Sequence, residues 1–301
     1  MDVRKPRTVK IAGRRFGRCV MRITKTGTYV MTAIAAAMYL FLNWVFADGM
    51  FNLSDTGTWF ERDGAIIDGQ MWTYIFLALI IAAGVIQAMR IPDEGVEIRL
   101  TKESDTPGQI QDPGWWRLLL GNAHLAILWL PLRFYIGRSW LAAGEHKVRE
   151  DAWMDGGAAI EGFWRRAATP NEEGATLAVY DWYADFLNYM IDHGWASWFG
   201  PLIAVGEVLV GLGLIVGALV GIAAFFGTLM NVSFMLAGTV SSNPVMFGLT
   251  VFIILGWKVA GWWGLDRWLL PMLGTPWYPG RILGGPVTTD GHVIGGTRQH
   301  A

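Results

Sequence analysis

Residues 132–147 read LRFYIGRSWLAAGEHK, and this stretch decides the fold. It prolongs an apolar run that opens near Leu118, yet it carries Arg133 in mid-run. An unpaired arginine at the centre of a bilayer costs at least ~2.5–3.5 kcal/mol, so the side chain has to face protein or a wet cavity. Arg133, Gly137, Trp140, Gly144 and Lys147 recur at i, i+4, i+7, i+11 and i+14, one stripe of a helix. A stripe of charge, glycine and tryptophan suits another helix and not lipid. Its arginine needs a partner from elsewhere in the chain.

Composition agrees with a membrane setting. Of 301 residues 53% are hydrophobic and 16% charged, and several apolar runs approach the ~20 residues that cross ~30 Å of hydrocarbon. The net charge of -1 hides an asymmetry, because residues 1–27 hold nine Lys/Arg against Asp2 alone. Beside a span, such a basic segment sets topology and touches anionic lipid, so nucleic acid is not expected as a partner. Cys19 is the sole cysteine, which excludes an intrachain disulfide, a CxxC motif and a thiolate metal site.

Taken in order, the chain divides into a basic segment (1–27), two spans within 28–91, a polar loop (92–116), a membrane domain (117–271) and a Gly/Pro-rich tail (272–301). The spans are expected at Thr28–Ala47, Trp72–Arg90, Leu118–Ala142, Trp198–Leu219, Val220–Thr239 and Pro244–Gly264. An insertion, 143–197, carries ten acids against four bases and an aromatic helix candidate from Thr176 to His193, suited to a membrane interface. The basic N-terminus places both ends in the cytoplasm of a multi-pass chain and the acidic segments 48–71 and 143–197 outside. Thr8–Ile11, Val96–Leu100 and a hairpin over 287–294 turning at Asp290-Gly291 alternate in polarity and predict a small cytoplasmic β cap.

Four motifs in order resemble the DoxX/DoxD family of integral membrane proteins. They are Leu132-Arg133-x3-Gly137-x2-Trp140-x3-Gly144-x2-Lys147; Gly206-Glu207-x-Leu209-x-Gly211-x2-Leu214-x2-Gly217; Asn231-x2-Phe234-Met235-x-Ala237-Gly238 with Ser242-Asn243-Pro244; and Gly261-x2-Gly264-Leu265-Asp266-Arg267-x-Leu269-Leu270-Pro271. The resemblance implies an all-α membrane protein, a DoxX-like four-helix transmembrane bundle here preceded by two N-terminal transmembrane helices, in a prokaryotic cell membrane. It also implies a membrane subunit of a quinone-linked, thiosulfate:quinone-type oxidoreductase, with quinone as ligand and protein partner subunits in a membrane complex. A non-catalytic scaffold anchoring a redox or respiratory complex is the other class open.

The residues limit the chemistry. A b-type haem needs histidines on facing helices, and His124 alone falls within a span. No G-x-G-x-x-G follows a strand, so neither haem, metal nor dinucleotide is indicated. What remains is a polar set: Arg133, Glu207, Asn231 and Lys258, one from each core span, with Trp140 and Lys147 on the stripe of Arg133. Such groups supply hydrogen bonds and protons to a quinone head, or form an ion pair that fixes helix register. Arg133, Glu207 and Asn231 reach one depth if each lies about nine residues below its span's outer end, near ~13 Å at ~1.5 Å per residue. An Arg133–Glu207 pair with Asn231 beside it is therefore expected, with Lys258 in the other half.

Overall fold

The computed structural model describes residues 20–46, 59–62, 64–99, 110, 112–274, 288–289 and 292–293. Helix α1 (Lys25–Phe46) packs antiparallel on α2 (Gln70–Arg90). Gly84 lets Thr32 approach closely, and Tyr39 meets Phe76 edge to face at 6.5 Å. Thr32 returns its hydroxyl to the Thr28 carbonyl at 2.8 Å, which satisfies that donor within its own helix.

The third apolar run is not one helix. Helix α3 (Gly114–Gly121) stops, and a 3-10 segment (Ala123–Trp129) leads into α4 (Leu130–Val148), with a bend of 77° at the break. Asn122 causes it. Its backbone is extended, and its side-chain oxygen accepts the His124 N–H at 2.9 Å, capping a fresh start. The expected single helix from Leu118 to Ala142 is thus a pair broken at Asn122, whose second part runs on to Val148.

Helix α4 lies antiparallel on α8 (Ala196–Val216), and the sequence stripe is the seam. A Cβ on Gly144 would lie 2.6 Å from the Val208 nitrogen, and one on Gly211 2.5 Å from the Leu141 nitrogen. Only glycine admits backbones so close. Helix α9 (Val220–Leu236) follows after a short turn and packs on α10 (Asn243–Leu255). Helix α10 ends where the Trp129 ring occupies the space a side chain at Gly256 would need. A short α11 (Trp257–Ala260) and α12 (Asp266–Leu273) follow, so the expected last span to Gly264 is interrupted.

The insertion forms a second core. Helices α5 (Asp151–Met154), α6 (Ala158–Ala168) and α7 (Asp181–Asp192) cover one end of α8, with Ile160, Trp164, Leu187 and Met190 buried between them. The helix expected from Thr176 to His193 runs only from Asp181 to Asp192; it buries Tyr183, Leu187 and Met190 and exposes Asp181, Asp185 and Asn188, while Tyr180 just before it is exposed.

Strand β1 (Val20–Ile23) pairs antiparallel with β2 (Val96–Arg99), and β3 (Thr288–Thr289) with β4 (His292–Val293). The turn expected at Asp290-Gly291 lies outside the described residues, and the two ribbons are separate sheets. The partner of β2 is Val20–Ile23, whereas Thr8–Ile11 lies outside the described residues. Lys25 bonds Asp93 beside the first ribbon and holds that carboxyl below its ordinary range. Helices α1, α2 and α8 are each long and apolar enough to cross a membrane, as is the bent α3–α4 pair counted as one. Helices α9 and α10 are apolar but have 17 and 13 residues. The molecule is a helical membrane protein.

Candidate functional site

Arg133 is fully buried and does not meet Glu207. Its Nε donates to the Leu214 carbonyl at 2.8 Å and its Nη2 to Ile215 at 3.0 Å, the last turn of α8. Its Nη1 donates to Ala260 at 2.9 Å and Trp263 at 3.1 Å, the end of α11 and the turn beyond. A helix end leaves its final carbonyls unsatisfied and partly negative, so a guanidinium there stabilises two ends at once. Asp266 does the converse, accepting the Leu219 and Val220 N–H groups at 2.6 and 2.9 Å at the start of α9. Gly217 turns between them with φ 71°, and a Cβ there would lie 2.4 Å from the Arg133 Nη2. The expected Arg133–Glu207 pair is thus not formed, and Arg133 clamps the α8–α9 turn instead.

The partner of Glu207 is Lys147, at 2.6 Å from Nζ to Oε2. Both belong to the α4–α8 seam, and Glu207 is 1% exposed against 18% for the lysine side chain. Equal-depth counting failed because α4 extends to Val148, one and a half turns beyond its expected end, which carries Lys147 over Glu207. The ammonium also sits 5.1 Å from the Trp153 ring centroid, a cation–π contact.

A cavity of about 530 Å³ opens beside this pair. Trp140, Lys147, Glu207, Arg166, Ser242 and Asn243 line it, with Phe163 and Phe234 on one side. Trp140 is 2% exposed, and its indole N–H has no hydrogen-bond partner. A buried donor left unmade costs roughly 1–3 kcal/mol, so the site holds unsatisfied bonding capacity. Gly227 of α9 packs on that indole, since a Cβ there would lie 3.0 Å from Nε1. Asn231 follows four residues on along the same face, fully buried, with neither amide atom bonded. Lys147 and Trp153 also line a second, more open cavity of about 410 Å³ with Arg62, Asp68 and His146. Lys147 thus stands in the wall between two polar spaces.

Of the six expected site residues, Trp140, Lys147 and Glu207 line this cavity, and Asn231 stands one turn along α9 from Gly227, which packs on Trp140. Lys258 does not, being exposed on α11 at the end of α10 away from Asn243. Reasoning from sequence missed Arg138. Buried to 2%, it donates to the carbonyls of Ile67, Asp68 and Gly69 at 2.9, 2.7 and 2.9 Å and to the Thr73 hydroxyl at 2.6 Å. It holds the entry to α2 as Arg133 holds the end of α8. The signal was present, since Arg138 sits in the same apolar run; five residues from Arg133, it points roughly 140° away, off the stripe. His124 contributes through its backbone, its carbonyl accepting from Gln87 Nε2 at 2.6 Å. Around the turn from α11 to α12, Trp263 donates to Gln87 at 3.1 Å, and Arg267 lies over Trp262 and Trp268.

Fold and site together define a helical membrane protein with a polar cavity set into its bundle. No family model, curated protein or solved structure matches the chain. Among the described residues no three His, Cys, Asp or Glu side chains are grouped to hold a metal ion.

Proposed function

We propose that this chain is the membrane subunit of a quinone-linked oxidoreductase of the DoxX/DoxD type, binding the quinone head in the Trp140–Lys147–Glu207 cavity. The observation that carries the proposal is the buried, unpartnered indole N–H of Trp140 beside a Lys–Glu pair at the wall of that cavity. A quinone presents two carbonyl acceptors, and the indole and the ammonium are donors at one wall. Its reduction takes two electrons and two protons. The electrons come from a partner subunit. Protons pass from the Glu207–Lys147 pair, which is resupplied from the open cavity at Arg62, Asp68 and His146. The setting is a prokaryotic cell membrane crossed several times, with both termini cytoplasmic and lipid around the bundle.

A non-catalytic scaffold is the second reading, favoured by the outer row of α7. Trp182, Phe186 and Tyr189 are 59, 42 and 50% exposed and offer a surface to a partner of the complex. Mass spectrometry of the gently solubilised protein separates the two. The proposal expects a bound quinone-class molecule in the wild type that is lost in Trp140→Phe and Glu207→Gln while the fold persists. A partner retained with no such molecule in any preparation supports the scaffold instead.

A further inference from the structure

A groove of about 700 Å³ runs along α8 and α9, and the mechanism above does not use it. Its walls are almost wholly apolar, with Leu209, Ile222, Phe226 and Met230 along the two helices. At one end α6 and α7 roof it with Trp164 and Met190. Tyr183 of α7 ties that roof to α9, donating its hydroxyl to the Ser233 carbonyl at 3.0 Å, and burial pushes the phenol above its ordinary pKa. Beneath the roof stand Phe163 and Phe234, edge to face at 6.0 Å. These two rings also line the polar cavity, so groove and cavity share one wall.

The dimensions select the occupant. The groove follows α9 from Leu219 to Phe234, fifteen residue steps, or roughly 22 Å at ~1.5 Å per residue. It meets the polar cavity end on at Phe163 and Phe234, which suits one extended hydrocarbon chain attached to a head group in that cavity.

We infer that the α8–α9 groove is the tail site of a single-chain, long-tailed amphiphile whose head occupies the polar cavity, with Phe163 and Phe234 as the threshold between them. This rests on the head-site reading above and adds a selection for tail length. Ile222 marks the distal end, 12 positions from Phe234 and so roughly 18 Å from the threshold. It is 54% exposed, so a larger ring there is accommodated without disturbing the core.

The test measures binding of two probes to the full chain in detergent: a polyprenyl quinone and a short-tailed analogue with the same ring. The wild type should bind the long probe more tightly. Ile222→Trp should weaken the long probe by about tenfold, the worth of roughly two buried methylenes, and leave the short one unchanged. Equal wild-type affinity for both probes, or an Ile222→Trp that leaves both unchanged or weakens both alike, would overturn the tail site. So would an Ile222→Trp whose effect is on oligomeric state, which would make the groove an interface between copies. Failure of the head site has a different signature, because short-probe binding would then be absent or indifferent to Trp140→Phe.

Discussion

Arg133 and Glu207 show how a buried charge is settled by whatever partner is nearest, backbone included. The guanidinium spends its donors on four carbonyls at two helix ends, and the carboxylate bonds a lysine at the other end of the same seam. Glu207 and Leu214 are seven residues apart on α8, roughly 10 Å, beyond the range at which substitutions normally couple. Arg133→Leu should therefore destabilise by ~3 kcal/mol or more, because buried carbonyls lose their donors at two helix ends. Combined with Glu207→Leu it should be additive within ~0.5 kcal/mol, whereas Lys147→Met should offset part of the Glu207→Leu loss. A double-mutant cycle on thermal stability reads this directly. Strong coupling between Arg133 and Glu207 would contradict the separate networks.

At the scale of elements, the α4–α8 seam is a ladder of glycines interrupted by one tryptophan. Gly144→Ala places a methyl group against the Val208 backbone and should cost ~1–3 kcal/mol, because a helix has to shift. Gly248 of α10 is the control, with open space where its Cβ would stand, so Gly248→Ala should be neutral or slightly stabilising. Equal melting temperatures for the two variants would count against close backbone packing as the origin of the seam. The seam was legible in the sequence because its period is helical and its residues are a poor match for lipid. The bend at Asn122 was not, since hydropathy runs on through it and the side-chain cap that restarts the chain leaves only a single polar residue as its sign. The pairing of β2 was half legible: its alternation predicted a strand, but strand partners are chosen by tertiary contact.

For the molecule as a whole, the helical membrane class followed from composition and run length alone. The polar site followed in part. Trp140, Lys147, Glu207 and Asn231 were found because polar groups in apolar runs are costly and therefore placed. Their pairing escaped because depth counting depends on where each helix ends, and α4 outruns its apolar stretch to bring Lys147 inward. The consequence is a bundle with bonding capacity left open at the indole of Trp140 and the amide of Asn231, beside an ion pair that joins two polar spaces. The most direct test is a cryo-electron microscopy map of the full chain in nanodiscs containing a polyprenyl quinone. The account predicts density for the head in the 530 Å³ cavity, with an oxygen within hydrogen-bond distance of Trp140 Nε1, and loss of that density in Trp140→Phe. A map in which that cavity holds no head group, or in which the quinone binds elsewhere on the bundle, would contradict it.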